Sequence, residues 1–205
     1  MAFFGFFRRQ RPIREVAELA DFVDQQSAYL VQRYIYDYTN ARSGPYSQAL
    51  LRRPDFRDDV ERSRWSAYPL GLAMIGEMVE GVLRPHAGEN RREVLDPFIA
   101  LVLDVFDRYD VPPQLGAGAW RAARVELAHK LDQIGTHPPK RVIDIPELYA
   151  ERYFNMMPFD KALLTNDVLT TKNYLRLTLT NIRDVMVKRM DAADMAAKLK
   201  AAAAN

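Results

Sequence analysis

The sequence predicts an all-α fold, a single irregular bundle of about six helices with a kinked second helix and a long C-terminal helix. Three observations carry this. Apolar residues recur at spacings of three, four and seven over long stretches. Pro and Gly interrupt those stretches at helix-length intervals. Only one short stretch alternates with the period of a strand.

The first helix is predicted from Ile13 to Arg42, where Val16, Leu19, Val23, Leu30, Tyr34 and Tyr38 share one face. Ser43, Gly44 and Pro45 end it, and a short polar connection follows. The second begins at Pro54, a residue that tolerates the first turn, with Asp55, Asp58 and Asp59 at its positive end. It stops at Arg84-Pro85, and Pro69 inside it predicts the kink. Gly71, Gly76 and Gly81 follow, each costing a helix roughly 1 kcal/mol relative to Ala. A backbone packed closely on another helix, or a ligand, would offset that cost.

The third helix is capped by Asn90 with Glu93, or by Asp96 with Pro97, and its apolar residues from Phe98 to Tyr109 predict a central position. The fourth runs from Ala117 to Ile134 and stops at Gly135. His137-Pro138-Pro139-Lys140-Arg141 is a stiff linker to a shorter helix after Asp144 and Pro146. The last helix starts at Asn166 or Asp167. Leu175 to Thr180 alternates with period two, yet the spacing of Ile182, Met186 and Met190 favours helix. The domain organisation is then an aromatic-basic segment over 1–12, a helical domain over 13–190 and an Ala-rich tail over 191–205 that is expected to fray.

Composition excludes several classes of function. The absence of cysteine removes disulfides, thiolate metal sites, Fe–S clusters and cysteine nucleophiles together. The longest apolar run, Ala67 to Gly76, is far short of the ~20 residues that span a bilayer. Four arginines and no acid lie in residues 1–14, which leaves 25 basic against 27 acidic residues over 15–205, a net of −2. A slightly acidic body argues against nucleic-acid binding, which needs many phosphate contacts. The five serines lack the Gly-x-Ser-x-Gly turn of an α/β-hydrolase, and no phosphate-cradling glycine loop is present. Catalytic residues are therefore not assigned, no cofactor is expected, and the balance leans away from an enzyme.

The one metal-like pattern is Glu126 with His129, three apart on a helix, with Glu77 and Glu80 as further carboxylates. A di-iron bundle needs a second Glu-x-x-His pair, which is missing, and a solvated Glu-His face accounts for the pattern equally well. Tyr29, Tyr34, Tyr36 and Tyr38 suit the rim of a core or an interface.

Recognition is instead expected at the leading end. Phe3, Phe4, Phe6 and Phe7 supply apolar rings, and Arg8, Arg9, Arg11 and Arg14 supply cations. Such a segment would lie on an anionic membrane surface, enter a groove on a protein partner, or fold back onto its own domain. The reading is a cytoplasmic, non-enzymatic adaptor or accessory protein, peripheral at the inner membrane face or docked to a larger complex. A homo-oligomer through the first or last helix is a further option. The alternative is a helical ligand-binding protein or enzyme, metal-dependent or hydrolytic, with a cavity between helices two and three.

Overall fold

The computed structural model describes residues 11–159 and 167–203. Among them are eight α-helices and no strand. They are α1 (Val16–Ser43), α2 (Ser47–Arg52), α3 (Pro54–Leu83), α4 (Arg92–Phe106), α5 (Gly116–Ile134), α6 (Ala150–Asn155), α7 (Asp167–Val187) and α8 (Ala192–Ala203). A 3₁₀ segment, Val142–Leu148, precedes α6.

The predicted bounds of α3 and α5 hold to within a residue, and α7 is helical through its alternating stretch. The polar connection after α1 contains the two turns of α2. The last helix is divided near Met190, and α8 is docked rather than frayed. Met195, Ala196 and Leu199 are buried, and α8 packs on α4.

The centre of the bundle is α3. Residues 67–80 are buried on every side, and α3 packs against α1, α4, α5, α7 and α8. The sequence pattern places α4 there instead. That helix does touch both α1 and α8, but Asp96, Ala100 and Asp104, four residues apart, give it a solvent stripe. α3 continues as one helix through Pro69.

Two of its glycines answer to packing. A Cβ at Gly71 would stand 2.7 Å from the Ser27 carbonyl oxygen and 3.2 Å from Val31 Cγ1, so the absence of a side chain sets how near α1 comes. At Gly76 a Cβ would meet Leu131 Cδ2 of α5 at 2.7 Å.

One carboxylate joins three elements. Asp24 of α1 accepts hydrogen bonds from Tyr68 of α3 at 2.7 Å and from Tyr109, just beyond α4, at 2.8 Å. Trp65 meets Tyr68, Tyr109 and Trp120 edge to face, and Trp120 stacks on Phe106 with centroids 4.1 Å apart. The tyrosines of α1 divide by helical phase. Tyr34 and Tyr38 are buried against α7, where Tyr34 bonds Thr171 at 3.0 Å, while Tyr29 and Tyr36 are exposed.

The two ends of the described chain are clasped together. Ile13 is buried and forms an isolated parallel bridge with Met190, its N–H donating to the Arg189 carbonyl at 2.8 Å.

Gly71→Ala is expected to lower stability by about 1–3 kcal/mol although Ala favours helix, because the obstructing atom is backbone. Gly76→Ala should lose less, since Leu131 can change rotamer. Urea unfolding monitored by circular dichroism measures both.

Burial first, then the hydrogen bond to Asp24, and then its charge push the Tyr68 and Tyr109 hydroxyls above the ordinary tyrosine value of 10. A group whose pKa is raised in the folded state stabilises fully below pH 10 and loses that contribution as pH climbs toward the raised value. The wild-type unfolding free energy should therefore fall above pH 10, and Tyr68→Phe should flatten that fall while lowering stability at pH 7. Unfolding curves between pH 7 and pH 11 test the sign.

Candidate functional site

The buried half of α3 is almost wholly apolar, so its two charged residues stand out. Glu77 and Glu80 are each only 4% exposed. An ionised carboxylate in such surroundings is tolerable only with a cation and hydrogen bonds.

Glu80 finds Arg84, one turn on and just past the end of α3. The guanidinium Nε and Nη2 grip both carboxylate oxygens at 2.7–3.0 Å. The same guanidinium donates through Nη2 to the Ile134 carbonyl at 3.0 Å and through Nη1 to the His137 carbonyl at 2.8 Å. It thus serves an unpartnered carbonyl at the end of α5 and pins the start of the Pro-rich linker.

Glu77 is neutralised by that linker. Lys140 Nζ lies 2.7 Å from Glu77 Oε1, and His137 Nε2 lies 3.7 Å from the same oxygen. His137 Nδ1 is 2.8 Å from the Pro138 carbonyl, which can only accept, so Nδ1 carries a proton. Tyr149, also buried, lies nearby with the Lys130 ammonium 5.3 Å from its ring centre. Burial, followed by the charges of Glu77 and Glu126, holds its hydroxyl above the ordinary range.

Beside the Glu77–Lys140 pair opens a cleft of about 190 Å³. Its walls are α3 (Glu77, Gly81, Val82), the linker and 3₁₀ segment (Lys140, Ile145) and α7 (Arg183). By contrast, the space beside Glu80 between α3 and α4 amounts to about 10 Å³, the scale of a single water. The sequence pattern had pointed to that second location for a cavity. Close packing of Leu83, Val94 and Phe98 fills it, and the roomier cleft lies against the linker and α7. A more open hollow of about 260 Å³ lies where α4 meets α5, over Phe106, Tyr109 and Trp120. Of the two guanidiniums at its rim, Arg124 is held by both oxygens of Asp107, and Arg121 is exposed with no ion pair among the described residues.

The four residues considered for a metal are not brought together. Glu77 and Glu80 each turn to a separate cation. Glu126 is paired with Arg152 and with Lys130, and the hydrogen bond from Arg152 is the first cause holding its carboxyl below the ordinary value. His129 is exposed. Among the described residues no group of three or more His, Cys, Asp or Glu is placed to hold a metal ion.

At the leading end, Phe3, Phe4, Phe6, Phe7, Arg8 and Arg9 lie outside the described residues. Arg11 and Arg14 are exposed. The sequence reading did not single out Arg84, Lys140 or Arg183. Arg84 had a signal, an arginine four residues after a glutamate on one helix. Lys140 had none, since its partner is 63 residues away.

Compared with known proteins, the chain matches no family model, no curated protein and no solved structure. No described helix is long and apolar enough to cross a membrane.

Arg84→Ala would strand the Glu80 charge in the core and should lower stability by about 3–5 kcal/mol in urea unfolding. The double substitution Glu80→Met with Arg84→Met removes both charges and should recover more than half of that loss.

Proposed function

We propose that this protein is a non-enzymatic helical adaptor that docks on an anionic membrane face through its leading Phe/Arg segment. The observation that supports this most directly is how that segment is rooted. Ile13 is buried and bridged to Met190, and its neighbours are tied by their backbones. Arg189 Nε donates to the Arg11 carbonyl at 2.7 Å, and Lys198 Nζ donates to the Arg14 carbonyl. The side chains of Arg11 and Arg14 meanwhile remain exposed. Any surface that engages residues 1–9 would thus be linked to the helical body without a long slack tether.

The chemistry of the segment favours lipid headgroups. Each arginine near an anionic surface contributes about 1 kcal/mol, and the four phenylalanines add interfacial burial. Binding of this kind is weak, reversible and sensitive to salt. The non-catalytic part of the reading draws support from the ion pairs above. Glu77, Glu80 and Glu126 each have a cation of their own, an arrangement suited to holding a fold. Such an adaptor would work at the cytoplasmic face.

Co-sedimentation of the full chain with vesicles tests the proposal. Binding to phosphatidylserine-containing vesicles should exceed binding to phosphatidylcholine vesicles by at least tenfold. Deleting residues 1–9 should abolish the difference, and raising salt from 50 to 300 mM should weaken it severalfold. No binding to the anionic vesicles, or binding unchanged by the deletion, overturns the membrane reading in favour of a protein partner.

A further inference from the structure

The cleft between α3, the Pro-rich linker and α7 does not involve the leading segment, and it carries a proposal of its own. Gly81 is the starting point. Gly71 and Gly76 stand where a side chain would strike α1 and α5, but a Cβ at Gly81 would meet nothing within 4 Å. Packing therefore gives no reason for a glycine in the last turn of this helix, where it is a poorer helix former than alanine. What lies beside Gly81 is the cleft.

The walls state a chemistry. Val82, Val142, Met78 and Ile145 form an apolar side. Lys140, Arg141 and Arg183 supply three cations against the single carboxylate of Glu77. Arg141 is engaged with both oxygens of Asp144, through Nε at 2.7 Å and Nη2 at 3.1 Å. Lys140 offers Glu77 one of its three N–H donors. Among the described residues Arg183 is paired with the adjacent Asp184 alone, through Nη1 at 3.1 Å, and both side chains are about half exposed. Such a surface contact between sequence neighbours is weak and readily exchanged. Donors thus remain on Lys140 and Arg183, at the mouth of an apolar slot.

The size sets the rest. An apolar cavity of about 150 Å³ holds one benzene molecule, so about 190 Å³ suits a six- to eight-carbon chain or a single ring. We propose that the cleft binds a short organic carboxylate, its head on Arg183 and Lys140 and its apolar tail beside Gly81, Val82 and Ile145. The buried Glu77 fixes Lys140 in place and repels a second anion from the floor, which directs the head outward and the tail inward.

Titration of the full-length chain by amide and methyl NMR with sodium hexanoate is the test. The expected result is saturable shifts at Gly81, Val82, Val142 and Ile145, with affinity at least tenfold above that for 1-hexanol. Hexylammonium and inorganic phosphate should give no saturable shift at those residues. Gly81→Leu places a side chain in the slot and should abolish binding. Gly81→Ala should raise the melting temperature and weaken binding. Arg183→Gln should weaken it at least fivefold, and this exposed position decides the matter if Gly81→Leu does not fold. The proposal is overturned by any one of these outcomes: no saturable shift with hexanoate, equal binding of hexanol, hexylammonium or phosphate, intact binding by a folded Gly81→Leu protein, or unchanged affinity in Arg183→Gln.

Discussion

A helical segment buried on every side must supply a partner for each charge it carries, and the rest of this bundle is arranged around how the second half of α3 does so. Its apolar faces could be covered by any well-shaped neighbour. Its carboxylates could not. Glu80 requires Arg84, and once that guanidinium is drawn inward its remaining N–H groups demand acceptors. They take the carbonyls of Ile134 and His137, which fixes where α5 ends and where the linker begins. Glu77 then draws in Lys140. Two buried leucines would fill similar space, but they would not specify which backbone atoms pass overhead. The charges supply direction where burial supplies only attraction.

The same helix explains what could and could not be read from the chain. Periodicity and breakers delimit α3 from Pro54 to Leu83 because both are local properties: proline at the first turn, then a run that ends before Pro85. Period also settles α7, where Thr178 and Thr180 favour strand locally but Leu175, Leu179, Ile182 and Met186 must lie on one buried face. The choice of central helix is not local. α4 reads as more apolar than α3, because the acidic start of α3 lowers its average, yet only the second half of α3 enters the core. Burial is decided by which neighbours arrive, and Asp96 and Asp104 hold one side of α4 in water.

The three glycines of α3 show the limit of legibility at single-residue scale. All three carry the same helix penalty, and the sequence says only that something offsets it. In space they separate: one faces a carbonyl of α1, one a leucine of α5, and one an open cleft. The candidate ligand set separates in the same way. Glu126 and His129 lie on neighbouring turns as their spacing requires, but Arg152, from a different helix, claims the glutamate. A pair separation of 26 residues across a proline-rich connection leaves no periodic trace.

The linker that closes the cleft owes its form to both scales at once. Pro138 and Pro139, both exposed, restrict the backbone locally. Arg84 and Glu77 then hold the segment at two points, through the His137 carbonyl and the Lys140 ammonium, within two turns of a single helix. A wall fixed to the most buried helix of the fold keeps its position when the surface moves. The hollow between α4 and α5 is built differently, from the ends of two helices joined by an irregular stretch. Its aromatic floor is Trp120 stacked on Phe106; of its two rim cations Arg124 is taken up by Asp107, and Arg121 is exposed, with no ion pair among the described residues to hold it in place. Pre-organised donors beside an apolar slot, rather than volume alone, separate the smaller cleft from the larger.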